Sequence, residues 1–299
     1  MKLVRRCAPL ALAVAVLLAA CSSGSPSTRS VTPPTAAPPT VATAPPTGVA
    51  ESGFVAFGDF GGGRAQPAVA QQMIAWAAGH RVDAVVTTGD NVYPDGDPSR
   101  YAAQLDAPYA ELRQTRPFWL TLGNHDVQAG FGQEELRYVG LPNLPFTKEL
   151  PGAQLLFLDA NHPDAEQAAW LNARLSEAGP PLRIVIFHQP AFSCALHGST
   201  VAVDEQWVSL LEAHRVPLVL TGHDHYYERF VSSSDVTYVV TGGGGQGLYK
   251  RRATCNDVPP SKATAQRHHF TGVEIHGTTI TLTAVADDGT VIDQATITR

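Results

Sequence analysis

From Gly53 onward, short apolar runs recur along the chain and break off at Gly, Asp, Asn or His. Phe54-Val55-Ala56-Phe57 leads to Gly58-Asp59, Ala84-Val85-Val86 to Gly89-Asp90, and Phe118-Trp119-Leu120 to Gly123-Asn124-His125-Asp126. Ile184-Val185-Ile186-Phe187 leads to His188, and Leu218-Val219-Leu220 to Gly222-His223. Apolar runs of this length, bounded by turn residues, predict buried strands. Ala153 to Asp159 reads as another strand, without a reactive cluster at its end. Helical spacing occupies Pro67 to Gly79 and Asp164 to Ala178, the second closed by Gly179-Pro180. β-Branched runs at Thr237 to Thr241, Gly272 to Ile275, Thr278 to Val285 and Thr290 to Thr298 predict C-terminal hairpins forming a second sheet that faces the first. Strands alternating with helices predict an α/β architecture.

The N-terminus changes this picture. Lys2, Arg5 and Arg6 precede an apolar run from Ala8 to Ala20, the length of a signal-peptide core and too short for a comfortable membrane span. Leu18-Ala19-Ala20-Cys21-Ser22 resembles a bacterial lipobox, which predicts export and a lipid anchor on Cys21 at the outer face of the cell membrane, or secretion without lipidation. Residues 21–50 are rich in Ser, Thr, Pro and Ala with almost no charge, the composition of a tether that cannot bury enough apolar surface to fold. The expected organisation is a signal peptide over 1–20, a tether over 21–50 and one folded domain over 51–299. The net charge of -6 is mild, and no basic patch with interleaved aromatics follows the signal region, which argues against a nucleic-acid partner. Cys194 and Cys255 remain beyond the signal region, and the sequence alone leaves open whether they pair.

Taken singly, each strand-end cluster has a structural explanation as a turn, a helix cap or a hydrogen-bonded core histidine. Together they supply carboxylate, carboxylate, amide, imidazole and paired imidazoles at the ends where open α/β sheets bind ligands. That inventory suits two metal ions sharing a bridging carboxylate.

The set GDFG (58–61), GDNVY (89–93), GNHD (123–126), FHQP (187–190) and GHDHYYER (222–229) resembles the metallophosphoesterases, and within them the purple acid phosphatases. The resemblance spans most of the chain after Gly53 and implies a four-layer α/β/β/α sandwich with two mixed β-sheets. It implies Fe(III) held by Asp59, Asp90, Tyr93 and His225, and a divalent Zn, Fe or Mn held by Asp90, Asn124, His188 and His223. Gly61 stands where many relatives use a histidine ligand, and Tyr93 stands at the position of the tyrosine that colours the purple enzymes. His125 and His197 correspond to histidines beside the substrate, with Asp126 either orienting His125 or capping a helix. The implied reaction is hydrolysis of small phosphate monoesters by a metal-bound hydroxide. A metallophosphodiesterase or nucleotide hydrolase is the alternative, followed by a non-catalytic surface protein that binds phosphate or metal.

The remaining polar features receive structural readings. Gly242 to Gly245 suit a tight turn more than phosphate contact, and His268 and His269, which precede a strand and as adjacent residues point to opposite faces, read as structural. Asp224 is not expected to be a ligand, Tyr226 and Tyr227 are expected to pack, and Glu228 and Arg229 are expected to brace the histidine loop.

Overall fold

The structure, a computed structural model, describes residues 50–299. The signal-peptide, Cys21 and tether readings lie outside the described residues. In chain order the strands are β1 (Ser52–Phe57), β2 (Ala84–Thr87), β3 (Phe118–Leu120), β4 (Phe146–Leu150), β5 (Ala153–Phe157), β6 (Leu182–Ile186), β7 (Leu218–Thr221), β8 (Tyr227–Val231), β9 (Thr237–Thr241), β10 (Ser261–Ala265), β11 (His269–His276), β12 (Thr279–Ala286) and β13 (Val291–Thr298). They form two mixed sheets, ordered β13-β12-β11-β1-β2-β3 and β10-β8-β9-β7-β6-β5-β4.

Side-chain alternation builds four layers from these two sheets. Phe54 and Ala56 of β1, Ile184 and Ile186 of β6, and Val273 and Ile275 of β11 share the core between the sheets. Their neighbours Val55 and Phe57 face outward onto helix α1 (Gln66–Gly79), which contributes Val69, Ala70 and Met73. On the second sheet, Val185 and Phe187 face an outer layer that includes Leu171, Trp207 and Leu211. Leu171 lies on the helix Ala165–Ser176, whose first turn is capped by the Asp164 carboxylate accepting from Gln167 N–H at 2.9 Å. Both expected helices and the α/β/β/α layering are present.

Of the C-terminal runs, Thr237–Thr241 joins the second sheet as expected, whereas the hairpins β11 to β13 are placed differently. They extend the sheet that opens the chain, because β11 pairs antiparallel with the edge of β1 that β2 leaves free. The facing sheet is assembled from the middle of the chain, around the parallel set β5, β6, β7 and β9. As a result, two parallel sets, β1-β2-β3 and β5-β6-β7-β9, bring their carboxyl ends to one seam. Backbone bonds close it: Gly58 N–H donates to Thr241 C=O at 3.0 Å, and Gly244 N–H to Gly58 C=O at 2.9 Å.

Candidate metal centre

The first sheet delivers Asp59 after β1, Asp90 and Tyr93 after β2, and Asn124 after β3. The second delivers His188 after β6, then His223 and His225 after β7. These side chains meet in two groups that share Asp90. In one, the Tyr93 hydroxyl lies 2.9 Å from Asp90 Oδ2 and 3.3 Å from His225 Nε2, which is 3.4 Å from Asp59 Oδ1. In the other, His188 Nε2 lies 3.3 Å from Asn124 Oδ1 and 3.3 Å from Asp90 Oδ2. One donor atom each from Asp90, His188 and His223 falls within 4.8 Å of the others.

The imidazoles are oriented from behind. His188 Nδ1 donates to Thr88 C=O at 2.8 Å, and His225 Nδ1 to Gly247 C=O at 2.8 Å. Both rings are thereby fixed with Nε2 aimed at the carboxylates, the outer-shell arrangement that prepares a histidine for a metal. The donor set of carboxylate, phenol, amide and imidazole, largely buried and with no lysine or arginine interposed among the contacts described, fits cations.

The electrostatics of the metal-free cluster agree with that fit. Burial favours the neutral ring of His188, but Asp90 and then Asp59 outweigh it and raise the ring to about 9. Burial also opposes the charge on Asp90, yet His188 and the His125 N–H hold it well below the usual carboxylate range. Burial raises Asp59 despite His225. Burial and the neighbouring His188 push His223 down to about 2, so its nitrogens stay neutral in acid. The Tyr93 phenol is raised strongly by burial and by Asp59 and Asp90, which keeps it protonated until a cation offsets those carboxylates.

His125 borders the cluster: its N–H donates to Asp90 Oδ1 at 2.9 Å and its ring centroid lies 4.2 Å from that of Tyr93. Its Nδ1 donates to Pro94 C=O at 2.6 Å, and among the described residues Nε2 has no hydrogen-bond partner. His197, exposed in a loop whose residues 193–195 are buried, places its ring centroid 4.2 Å from that of His223.

Asp126 does not orient His125. Its buried carboxylate accepts from the N–H groups of Asn91 (2.8 Å), Val92 (2.9 Å) and Gly123 (2.8 Å) and from the Asn91 amide (2.9 Å), tying the loop after β2 to the loop after β3. Of these bonds only the one from Gly123 N–H caps the short helix Asn124–Val127, and the Pro94 carbonyl holds His125.

Gly242 is required by crowding, since a Cβ there would strike the Asp59 carboxylate and the Asp224 carbonyl. His269 sits away from the cluster between Thr241 Oγ1 (3.1 Å) and Arg267 C=O (2.9 Å). Arg229 is committed to Asp293 at 2.6 Å and 3.1 Å, so it braces the two sheets and not a phosphate. The Tyr227 hydroxyl joins the same Asp293 at 2.6 Å, so this tyrosine does more than pack.

Two site residues escaped the sequence reading. The Tyr249 ring stacks on His225 with centroids 4.0 Å apart and stands 5.3 Å from His197. The Gln104 amide grips the Tyr93 backbone twice, accepting from its N–H at 2.9 Å and donating to its C=O at 3.0 Å. Neither has a local signature, because each is defined by a contact that only the folded loops bring about.

Comparison with known proteins agrees with this geometry. The family model described as Calcineurin-like phosphoesterase matches residues 53–227, more than half of the chain. Purple acid phosphatase 4 of Arabidopsis thaliana is 25% identical over 235 residues, covering 66% of this chain and 69% of its own. The structure of a purple acid phosphatase from yellow lupin (Lupinus luteus) seeds shares the fold, with a TM-score of 0.74 at 18% identity over 83% of this chain and 54% of that one. GAP50, the anchor in the inner membrane complex of Plasmodium, does so with a TM-score of 0.72 at 19% identity over 83% and 89%. The chain belongs to the calcineurin-like phosphoesterase family and is a hydrolase of phosphoric esters.

Proposed function

We propose that this protein is an exported acid phosphatase that hydrolyses small phosphate monoesters at a dinuclear site. The observation that carries the reading is the pair of donor groups joined through Asp90, one of which contains the Tyr93 phenol. Asp59, Asp90, Tyr93 and His225 would hold Fe(III), whose hardness suits carboxylate and phenolate donors. Asp90, Asn124, His188 and His223 would hold a divalent ion, Zn, Fe or Mn. When bound, the ions neutralise phosphoryl charge and activate water as a nucleophile.

The chain's own residues do the rest. Buried Asp59 and Asp90 hold the charge of the site away from solvent. His125, with Nδ1 committed to Pro94, presents Nε2 toward substrate, where it donates a hydrogen bond to a phosphoryl oxygen or a proton to the leaving alcohol. His197, beside His223, reaches the same volume from the second sheet and assists departure of the leaving group. Export, with the chain anchored through Cys21, is supported by the N-terminal basic and apolar pattern and by the disulfide between Cys194 and Cys255.

The test is release of phosphate from a chromogenic monoester, together with the visible spectrum of iron-loaded protein. Wild type is expected to turn over and to show a tyrosinate-to-iron band that Tyr93→Phe abolishes. Asp90→Ala should lose at least about a hundredfold in rate. Equal rates in wild type and Asp90→Ala would reject the reading. Activity without a visible band would instead favour two divalent ions and the phosphodiesterase alternative.

A further inference from the structure

The segment 221–230 sorts its side chains by parity. His223 and His225 face the donor cluster, while Asp224, Tyr226 and Glu228 turn the other way and all grip one segment, 193–198. Asp224 accepts from the N–H groups of His197 at 2.9 Å and Gly198 at 3.1 Å, and from the Ser193 hydroxyl. The Tyr226 hydroxyl accepts from Cys194 N–H at 2.9 Å and meets Ser193 Oγ at 3.2 Å. Glu228 accepts from the same Cys194 N–H at 2.9 Å.

Asp224 is fully buried, and among the described residues its carboxylate is met by these N–H and O–H donors without a basic partner. Burying a carboxylate is expensive unless donors of this kind satisfy it, so the arrangement ties the charge to the geometry of the loop. The start of the loop is also tied by the Cys194–Cys255 disulfide, by Arg252 N–H donating to Cys194 C=O at 2.7 Å and by buried Ala195, but beyond it Leu196 is 64% exposed and Gly198 adopts a left-handed φ of 76°. At the exposed pair Leu196-His197 the backbone is held by the His197 N–H bond to Asp224, not by apolar packing of these two side chains.

We propose that Asp224 is the positioning residue for His197. Through the His197 and Gly198 amides, its carboxylate sets where the His197 ring stands beside His223, and hence whether that ring reaches the leaving oxygen. This rests on the phosphatase reading above. The motif then has two working faces one residue apart: the odd positions 223 and 225 supply donors to the centre, and Asp224 between them places the proton-handling histidine. An asparagine at 224 keeps the shape but loses one acceptor oxygen and turns an N–H₂ toward donors.

The experiment uses the metal-loaded full chain as wild type, Asp224→Asn, His197→Ala and the double variant. Steady-state kinetics are measured on monoesters running from dinitrophenyl phosphate, whose leaving group departs without a proton, to an alkyl phosphate, whose leaving group needs one. Asp224→Asn is expected to lower kcat on the alkyl ester about a hundredfold while changing the dinitrophenyl ester by less than about threefold, at unchanged metal content. His197→Ala should show the same pattern, and the double variant should be no worse than His197→Ala alone. A uniform loss across the series, or additive losses in the double variant, overturns the proposal. Wild type inactive on every monoester rejects the phosphatase reading and this inference with it, whereas active wild type with an even Asp224→Asn response rejects the inference alone. Should Asp224→Asn fail to fold, Ser193→Ala removes one donor from the carboxylate and carries the same test. A smaller loss graded by leaving group supports the proposal, and an ungraded loss overturns it.

Discussion

Asp59, Asp90 and His223 adopt φ values of 60°, 52° and 70°, a left-handed backbone that non-glycine residues enter at a cost of about 1 kcal/mol or more. Bonds hold them there: Asp59 N–H donates to Gly89 C=O, Phe60 N–H to Asp90 C=O, and His223 N–H to the Asp59 carboxylate at 2.9 Å. Strain of this kind is tolerated where the surroundings over-determine the geometry. Glu135 is a different unfavourable residue close by. It is fully buried, neither oxygen finds a hydrogen-bond partner among the described residues, and burial followed by the Asp126 charge raises it well above 4.5. A carboxyl raised on folding binds its proton more tightly in the native state, so its contribution is undiminished below about pH 4.5 and is lost as pH rises toward the folded value. The loss is about 1.4 kcal/mol per pH unit over that window. Glu135→Gln should therefore be more stable than wild type at pH 8 and similar at pH 4, read by urea unfolding at both. A difference of the same size at the two pH values would show that the carboxyl does not titrate on unfolding. At this scale the seven donor residues were legible because each follows a strand or a short loop from one. Asp224, Gln104, Tyr249 and Glu135 were not, because what marks each of them, a contact across loops or a burial without a partner, appears only on folding.

Strand β8 shows how one element can serve three layers. Tyr227 and Arg229 point inward to the other sheet, and Glu228 and Phe230 point outward to the loop and helix layer. The inward pair meets Asp293 of β13, with side chains of Arg229 and Asp293 only 13% and 9% exposed. Removing the carboxylate leaves a guanidinium in a largely dry seam, which costs about 3 kcal/mol or more for a buried pair broken on one side. Asp293→Ala is expected to lower the denaturation midpoint accordingly, and Asp293→Asn to recover part of the loss by keeping one acceptor. A midpoint shift worth less than about 0.5 kcal/mol, the size of an ordinary surface change, would place this pair among bonds that contribute nothing. The sequence announced the apolar central strands but not β4, β8 or β10. Ser261–Ala265 reads SKATA and alternates between partly exposed and exposed positions, so it carries no apolar periodicity to detect. The hairpins β11 to β13 were visible as strands, yet their sheet was misplaced. Alternation fixes which face is buried, and the choice of neighbour rests on the free edge of β1, more than two hundred residues earlier.

At the scale of the whole molecule, the donors are divided between the two sheets: Asp59, Asp90, Tyr93 and Asn124 come from the first, and His188, His223 and His225 from the second. An ion held by both sets binds only the folded arrangement, since the unfolded chain scatters these residues from position 59 to position 225. Metal should then stabilise the protein by linkage, by about 2.7 kcal/mol when the free ion stands a hundredfold above its Kd. For a domain of this size that corresponds to about 5–10 °C in melting temperature. Binding must also displace a proton from His188, which stands at about 9 in the metal-free cluster, so the stabilisation should weaken as pH falls. Calorimetry of chelator-stripped protein with and without added iron and zinc, at pH 7 and pH 5, reads both effects. The expected result is a metal-dependent rise that is larger at pH 7 and is lost in Asp90→Ala, because Asp90 alone belongs to both donor groups. Melting that ignores metal in wild type would mean that the seam closes without ions and that the donor cluster is a hydrogen-bonded core. Melting that responds equally in Asp90→Ala would place the ion elsewhere on the surface.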